Sequence, residues 1–213
     1  ANVAAQDGGG LYLDAANLSL ATNTVVENVA QTGRGGGLYA TGGAATLFAN
    51  TVAANRAGLE GGGIYLRDDA ASLRGGLLFN NRAADGGGVF IQGPLPDSPA
   101  PHLEQVTVQG NTAGNHGGGL FLLETNARII RSTILDNQAA ADGGGAYIEN
   151  SAPADFSANL IRNNQAGERG GGLLLIRGSR GLYLSNAVVD NRGLGGGITV
   201  VGAEVSLVHT TLA

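Results

Sequence analysis

Residues 51–66 read Thr51-Val52-Ala53-Ala54-Asn55-Arg56-Ala57-Gly58-Leu59-Glu60-Gly61-Gly62-Gly63-Ile64-Tyr65-Leu66, and the same phrase returns along the whole chain. Its closing part, a glycine triplet running into a short apolar segment, occurs eight times, starting at Gly8, Gly35, Gly61, Gly86, Gly117, Gly143, Gly170 and Gly195. The spacings are 27, 26, 25, 31, 26, 27 and 25 residues. Its opening part is Thr or a similar residue, an aliphatic, two variable positions and Asn. It places Asn28, Asn55, Asn81, Asn111, Asn137, Asn164 and Asn191 a few residues ahead of the triplets. A third apolar segment, such as Leu18-Ser19-Leu20, Ala45-Thr46-Leu47 or Leu182-Tyr183-Leu184, completes the unit.

Three short alternating segments per unit of about 26 residues cannot each bury a face alone, whereas stacked units can share one core. The pattern therefore predicts an all-β parallel β-helix, a solenoid of about eight coils with three strands per coil and the triplets at a corner. Helical repeats fail, because Gly and Asn breakers in every unit leave no room for two helices. Asn tolerates the left-handed backbone of a tight corner, and its amide can bond the Asn of the next coil. This predicts one ladder through Asn28 to Asn191 and a second through Asn23, Asn50, Ser132, Asn159 and Asn186. A glycine-rich phosphate cradle would need a following helix and usually a Lys, and the chain has neither signal.

Composition narrows the classes. The 213 residues include 38 Gly but no period of three, which excludes collagen, and 43% hydrophobic residues suffice for a core. There is no Cys, so disulfides, thiolate-bound zinc and thiol catalysis are excluded. A net charge of -5 with scattered Arg argues against nucleic-acid binding. The apolar runs are too short for a membrane-spanning helix.

The glycine triplet followed by an aliphatic and Tyr or Phe, paired with the Thr-aliphatic-x-x-Asn motif, resembles the right-handed parallel β-helix of the pectate-lyase-like superfamily. It is most similar to the repeats of chlamydial polymorphic outer-membrane proteins, which are carried in autotransporter passengers. The resemblance covers residues 1–213, read as a single domain. It implies right-handed coils and export. It also implies a role as an extracellular or cell-surface bacterial scaffold, adhesin-like, binding a glycan or a host or cell-surface component without catalysis. The alternatives are a polysaccharide lyase or glycoside hydrolase acting on acidic glycans, and a purely structural rod or filament subunit. No cofactor or metal is expected: the NTD, GHG and RIK signatures of the hydrolases are absent, and so is a calcium-binding repeat.

Two columns carry the candidate sites. The residue before each triplet gives Asp7, Arg34, Glu60, Asp85, His116, Asp142, Arg169 and Leu194. Here Asp85, His116 and Asp142 are the catalytic candidates, because a His between carboxylates on neighbouring coils can act as a base or metal ligand. A solvated corner with mixed charges is the favoured reading of the same column. The second residue after each triplet gives Tyr12, Tyr39, Tyr65, Phe90, Phe121 and Tyr147, then Leu174 and Thr199. Period-two alternation sends it outward, as a possible ladder for sugar rings or a partner strand, the favoured alternative being rings that stabilise the stack. The adjacent acids Asp68 and Asp69 read as a solvated turn, and His102 and His209 as surface residues without comparable acidic neighbours.

Residues 93–102, with four of the five prolines, form a Pro-rich loop insertion that explains the spacing of 31. Both termini fall inside a unit, so the domain reads as a segment of a longer solenoid. Neighbouring coils or another copy would then cover its uncapped ends.

Overall fold

A computed structural model describes residues 1–93 and 99–213. Positions 94–98 of the insertion lie outside the described residues, so the expected loop is seen only at its flanks. Strand Val89–Gln92 leads into Gly93, and the chain re-enters a sheet at His102–Glu104. Among the described residues there is no helix, and every strand pairing is parallel.

The chain winds through four eight-stranded sheets, one strand of each per coil. In the second coil these are Leu38–Thr41 (sheet 1), Thr46–Phe48 (sheet 2), Thr51–Ala53 (sheet 3) and Arg56–Ala57 (sheet 4). The expectation of three strands per coil is thus amended to four. The added strand is two residues long in most coils, too short to show alternation. Its mark is nevertheless in the sequence: a small residue two positions after each ladder Asn, at Ala30, Ala57, Ala83, Ala113, Ala139 and Ala166, each buried. Pairing follows the repeat, with Tyr39, Tyr65, Phe90 and Phe121 in register in sheet 1, and Val52, Leu78, Val108 and Ile134 in sheet 3.

Inward positions build one aliphatic core along the axis, including Leu66, Ile91, Leu122 and Ile148 from sheet 1 and Leu73, Leu103 and Ile129 from sheet 2. Each such burial contributes about 1.5–3 kcal/mol. Toward the C-terminal end the core holds two stacked rings, Phe156 and Tyr183, with centroids 5.1 Å apart. The Tyr183 hydroxyl is buried without a hydrogen-bond partner among the described residues, and burial holds its pKa well above that of an ordinary phenol. Tyr183→Phe removes that unsatisfied group and keeps the stack, so it is expected to stabilise the protein by about 1 kcal/mol. A rise in melting temperature checks this, and a fall would mean that the hydroxyl has a partner.

The corners work differently from the expectation that Asn itself adopts the left-handed conformation. The residue before each Asn does so: Glu27, Ala54, Asn80, Asp136, Asn163 and Asp190 have φ between 53° and 59°. This turn directs the following Asn inward. There Asn111 accepts from the backbone N–H and Nδ2 of Asn81, at 2.9 and 3.0 Å, and donates through Nδ2 to Asn137 Oδ1 and Leu78 O, both at 3.0 Å. The pattern runs from Asn2 to Asn191. The second ladder is present as Asn23–Asn50 and as Ser132–Asn159–Asn186, and is interrupted at Gly76 and Val106.

The triplet Gly61-Gly62-Gly63 has three distinct duties. Gly61 takes φ 65°. A Cβ on Gly62 would lie 2.5 Å from the Arg82 carbonyl of the next coil, and one on Gly63 would lie 2.7 Å from Gly88 O and 3.0 Å from Asn81 Nδ2. The triplet strand therefore lies directly on sheet 4 and on the Asn ladder, a closeness that excludes any side chain.

Candidate functional site

The outer face of sheet 1 carries both predicted columns. The aromatic residues do stack: consecutive ring centroids from Tyr12 to Tyr39, Tyr65, Phe90, Phe121 and Tyr147 are 5.0, 5.2, 5.4, 4.6 and 4.6 Å apart. The ladder is not an open face, however. Tyr39, Tyr65, Phe90, Phe121 and Tyr147 are between 1% and 7% exposed, and Tyr12 alone is open, at 55%. They form a second apolar cluster with Leu174 and Ile176, separate from the central core.

The rings pack against the first glycine of their own triplet and, at Tyr65 and Tyr147, under the pre-triplet residue of the coil before. A Cβ on Gly35 would lie 2.8 Å from Tyr39 Cα, and one on Gly86 would lie 2.9 Å from Phe90 Cβ, so the first glycines press against the bases of the aromatic side chains. Residues of the pre-triplet column then lie over the rings. The Arg34 guanidinium is 5.6 Å from the Tyr65 centroid, and the His116 ring stacks on Tyr147 at 4.8 Å. The Tyr65 hydroxyl donates to Gln92 Oε1 at 3.0 Å. Burial, reinforced by Glu60, pushes the Tyr65 phenol up to about 12, and burial with Glu149 does the same to Tyr147, so both stay neutral.

Register brings the pre-triplet column together as expected, but its carboxylates face backbone. Asp7 Oδ1 accepts from the Arg34 N–H at 2.7 Å, Asp85 Oδ1 from the His116 N–H at 2.9 Å, and Asp142 Oδ1 from the Arg169 N–H at 2.9 Å. Each aspartate thus ties its coil to the next. Asp142 also receives Arg169 Nη2 at 2.8 Å and Nε at 3.2 Å. Burial would raise the Asp142 pKa, but the Arg169 bonds and the nearby His116 outweigh it and hold the carboxyl below the ordinary range. Arg34 Nε meets Glu60 Oε2 at 2.5 Å, and Glu60 pairs in parallel with Asp85.

The catalytic candidates Asp85, His116 and Asp142 are therefore adjacent without forming an acid–base relay. His116 Nδ1 is 3.8 Å from Asp142 Oδ2, beyond hydrogen-bond reach, and Asp142 is already held by Arg169. Among the described residues no three His, Cys, Asp or Glu side chains are placed to hold a metal ion.

Two other expectations change. Asp68 is an exposed corner residue, but Asp69 is buried rather than solvated; it accepts from the Ala45 N–H at 3.1 Å, and burial raises its pKa. The corner turns Asp69 inward, as it does Thr125 and Ser151 in later coils. His102 does have an acidic neighbour, with Nε2 3.6 Å from Glu104 Oε2. Glu104 is itself bound by Arg74 Nη2 at 2.9 Å and by Arg131 Nη2. Aligning the units would have exposed this cluster, since Arg74 and Glu104 are register partners.

Residues 10–211 match the family described as the right handed beta helix region. No curated protein matches the chain.

Proposed function

The chain belongs to the right-handed β-helix family, and we propose that it works as a non-catalytic scaffold on the outside of a bacterial cell, binding a glycan or another surface component. The observation carrying this reading is the use of the strongest catalytic column. Asp7, Asp85 and Asp142 spend their carboxylates on backbone N–H groups of the next coil, and the His116 imidazole packs on an aromatic ring. Those groups serve cohesion between coils, leaving the lateral sheet faces for recognition. Extracellular display in an adhesin or autotransporter passenger, as in the chlamydial repeats, is part of the proposal. It rests on the repeat motif.

A glycan array together with a turnover assay on pectic and other acidic glycans, with and without calcium, tests it. Binding without turnover is expected. Turnover abolished by His116→Ala or Asp142→Asn in a folded protein would establish the lyase or hydrolase alternative instead. A second reading, the rod or filament subunit, is favoured by apolar side chains open on the lateral faces of inner coils, Phe48 of the second and Leu160 and Leu182 of the sixth and seventh. Another copy is the partner that fits those faces. Self-association without binding on the array would support it.

A further inference from the structure

Cations on this acidic chain are unevenly placed. Where sheet 2 turns into sheet 3, Arg74, Arg128 and Arg131 come from the third and fifth coils and flank His102 and Glu104 of the fourth. Glu104 is only 8% exposed and uses one carboxylate oxygen on Arg74 and the other on Arg131. The two guanidiniums are thereby fixed in place while their side chains remain 60% and 57% exposed, with further N–H groups turned to solvent. Arg128 is exposed and has no ion pair among the described residues. Its register neighbours are His102 and Asp155, and Asp155 accepts through Oδ1 from the Leu182 N–H at 3.0 Å.

We propose that this face is a binding site for the oxyanion groups of an acidic glycan, carboxylate or sulfate, with Arg128 as the principal contact and Arg74 and Arg131 beside it. The inference rests on the scaffold reading above and adds to it a place and a ligand chemistry. Three guanidiniums face two carboxylates here, and the planar guanidinium fork matches carboxylate and sulfate oxygens. The cations span two coil steps, about 10 Å along the axis, which suits an extended chain better than a single small anion. Sheet 4 offers a contrast. Among the described residues Arg56 and Arg82 are register partners there without ion pairs, and no buried carboxylate orients them.

His102 supplies an internal reporter. Burial, followed by the positive charges of Arg128, Arg74 and Arg131, lowers its pKa from the ordinary imidazole value. An anion seated among those guanidiniums offsets their repulsion and raises it. The groups facing His102 are Arg74 on one neighbouring strand, Glu104 on its own, Arg128 on the other and Arg131 just beyond that strand.

The experiment titrates the full chain with oligogalacturonate, a heparin-derived oligosaccharide and a neutral cello-oligosaccharide, following affinity and the His102 ring resonances. At least one acidic oligosaccharide is expected to bind and to raise the His102 pKa without moving His209, and the two acidic arms separate carboxylate from sulfate. Arg128→Ala should weaken binding by about ten-fold while Arg82→Ala leaves it unchanged. Neither residue holds an ion pair among the described residues, so both variants should fold. Equal losses in the two variants, an unchanged Arg128→Ala, or preference for the neutral oligosaccharide would overturn the site. If glycans bind but Arg128→Ala is unaffected, only the location is wrong. If no glycan binds in this titration or on the wider array, glycan binding itself fails with it.

Discussion

Asn111→Ala is expected to lower the free energy of unfolding by about 4 kcal/mol, because it strips partners from several buried groups at once. Asn111 is fully buried and joins three coils: its Oδ1 accepts two bonds from Asn81, and its Nδ2 donates to Leu78 O and Asn137 Oδ1. Alanine leaves the Asn81 N–H, the Leu78 carbonyl and the flanking Asn81 and Asn137 amides without their shared partner in a buried corner. Asn111→Asp separates shape from hydrogen bonding. It keeps the acceptor, removes the donor and adds a buried charge, so it should be at least as damaging near neutral pH and milder in acid. Denaturant unfolding of the three proteins checks this. A loss under about 1 kcal/mol for Asn111→Ala would mean that the ladder is dispensable.

Gly62→Ala comes next, with an expected loss of about 3 kcal/mol. Here the cause is contact with backbone: the new Cβ would meet the Arg82 carbonyl and Gly87 O, each at 2.5 Å. Neither can move without parting two coils along sheet 1 and sheet 4, so relaxation spreads the strain instead of removing it. An exposed control such as Gly114→Ala, whose Cβ meets nothing closer than 3.7 Å, isolates the packing effect, since neither Gly62 nor Gly114 has a positive φ. Thermal unfolding should separate the two by several degrees. Equal shifts would mean that the close contact costs nothing beyond the loss of a glycine.

These variants probe what the repeat made legible. Eight triplets at near-constant spacing imply eight coils, parallel register and the Asn ladder, because stacking is the only way such short segments share a core. The sequence did not expose the fourth strand, since Arg56-Ala57 and its equivalents are too short for periodicity to act on. Alternation correctly sent Tyr39 and Tyr65 out of the central core and into a stack. Their burial depends on where the pre-triplet chain of the neighbouring coil lies, which no period encodes. At the candidate site, register placed Asp142 beside His116 and Arg169. The bond that decides its role, Asp142 to the Arg169 backbone N–H, involves a main-chain group that side-chain patterns do not reveal. The Arg74–Glu104–Arg131 cluster was hidden for another reason: the Pro-rich insertion lies between Arg74 and Glu104 and shifts the column out of phase.

The gap in the second ladder has a mechanical meaning. Force applied along the axis passes through coil-to-coil junctions in series, so the rod is as strong as its weakest junction. Every junction carries main-chain bonds in all four sheets, and those at Asn23–Asn50, Ser132–Asn159 and Asn159–Asn186 add amide struts at two corners. From Asn50 to Gly76, and from Gly76 to Val106, the strut at the second corner is missing, which leaves the Asn55–Asn81–Asn111 ladder with one aspartate bond per junction, Ala45 N–H to Asp69 and His116 N–H to Asp85. Under tension the solenoid should therefore part first around the coil of Gly76, splitting into a shorter N-terminal and a longer C-terminal stack.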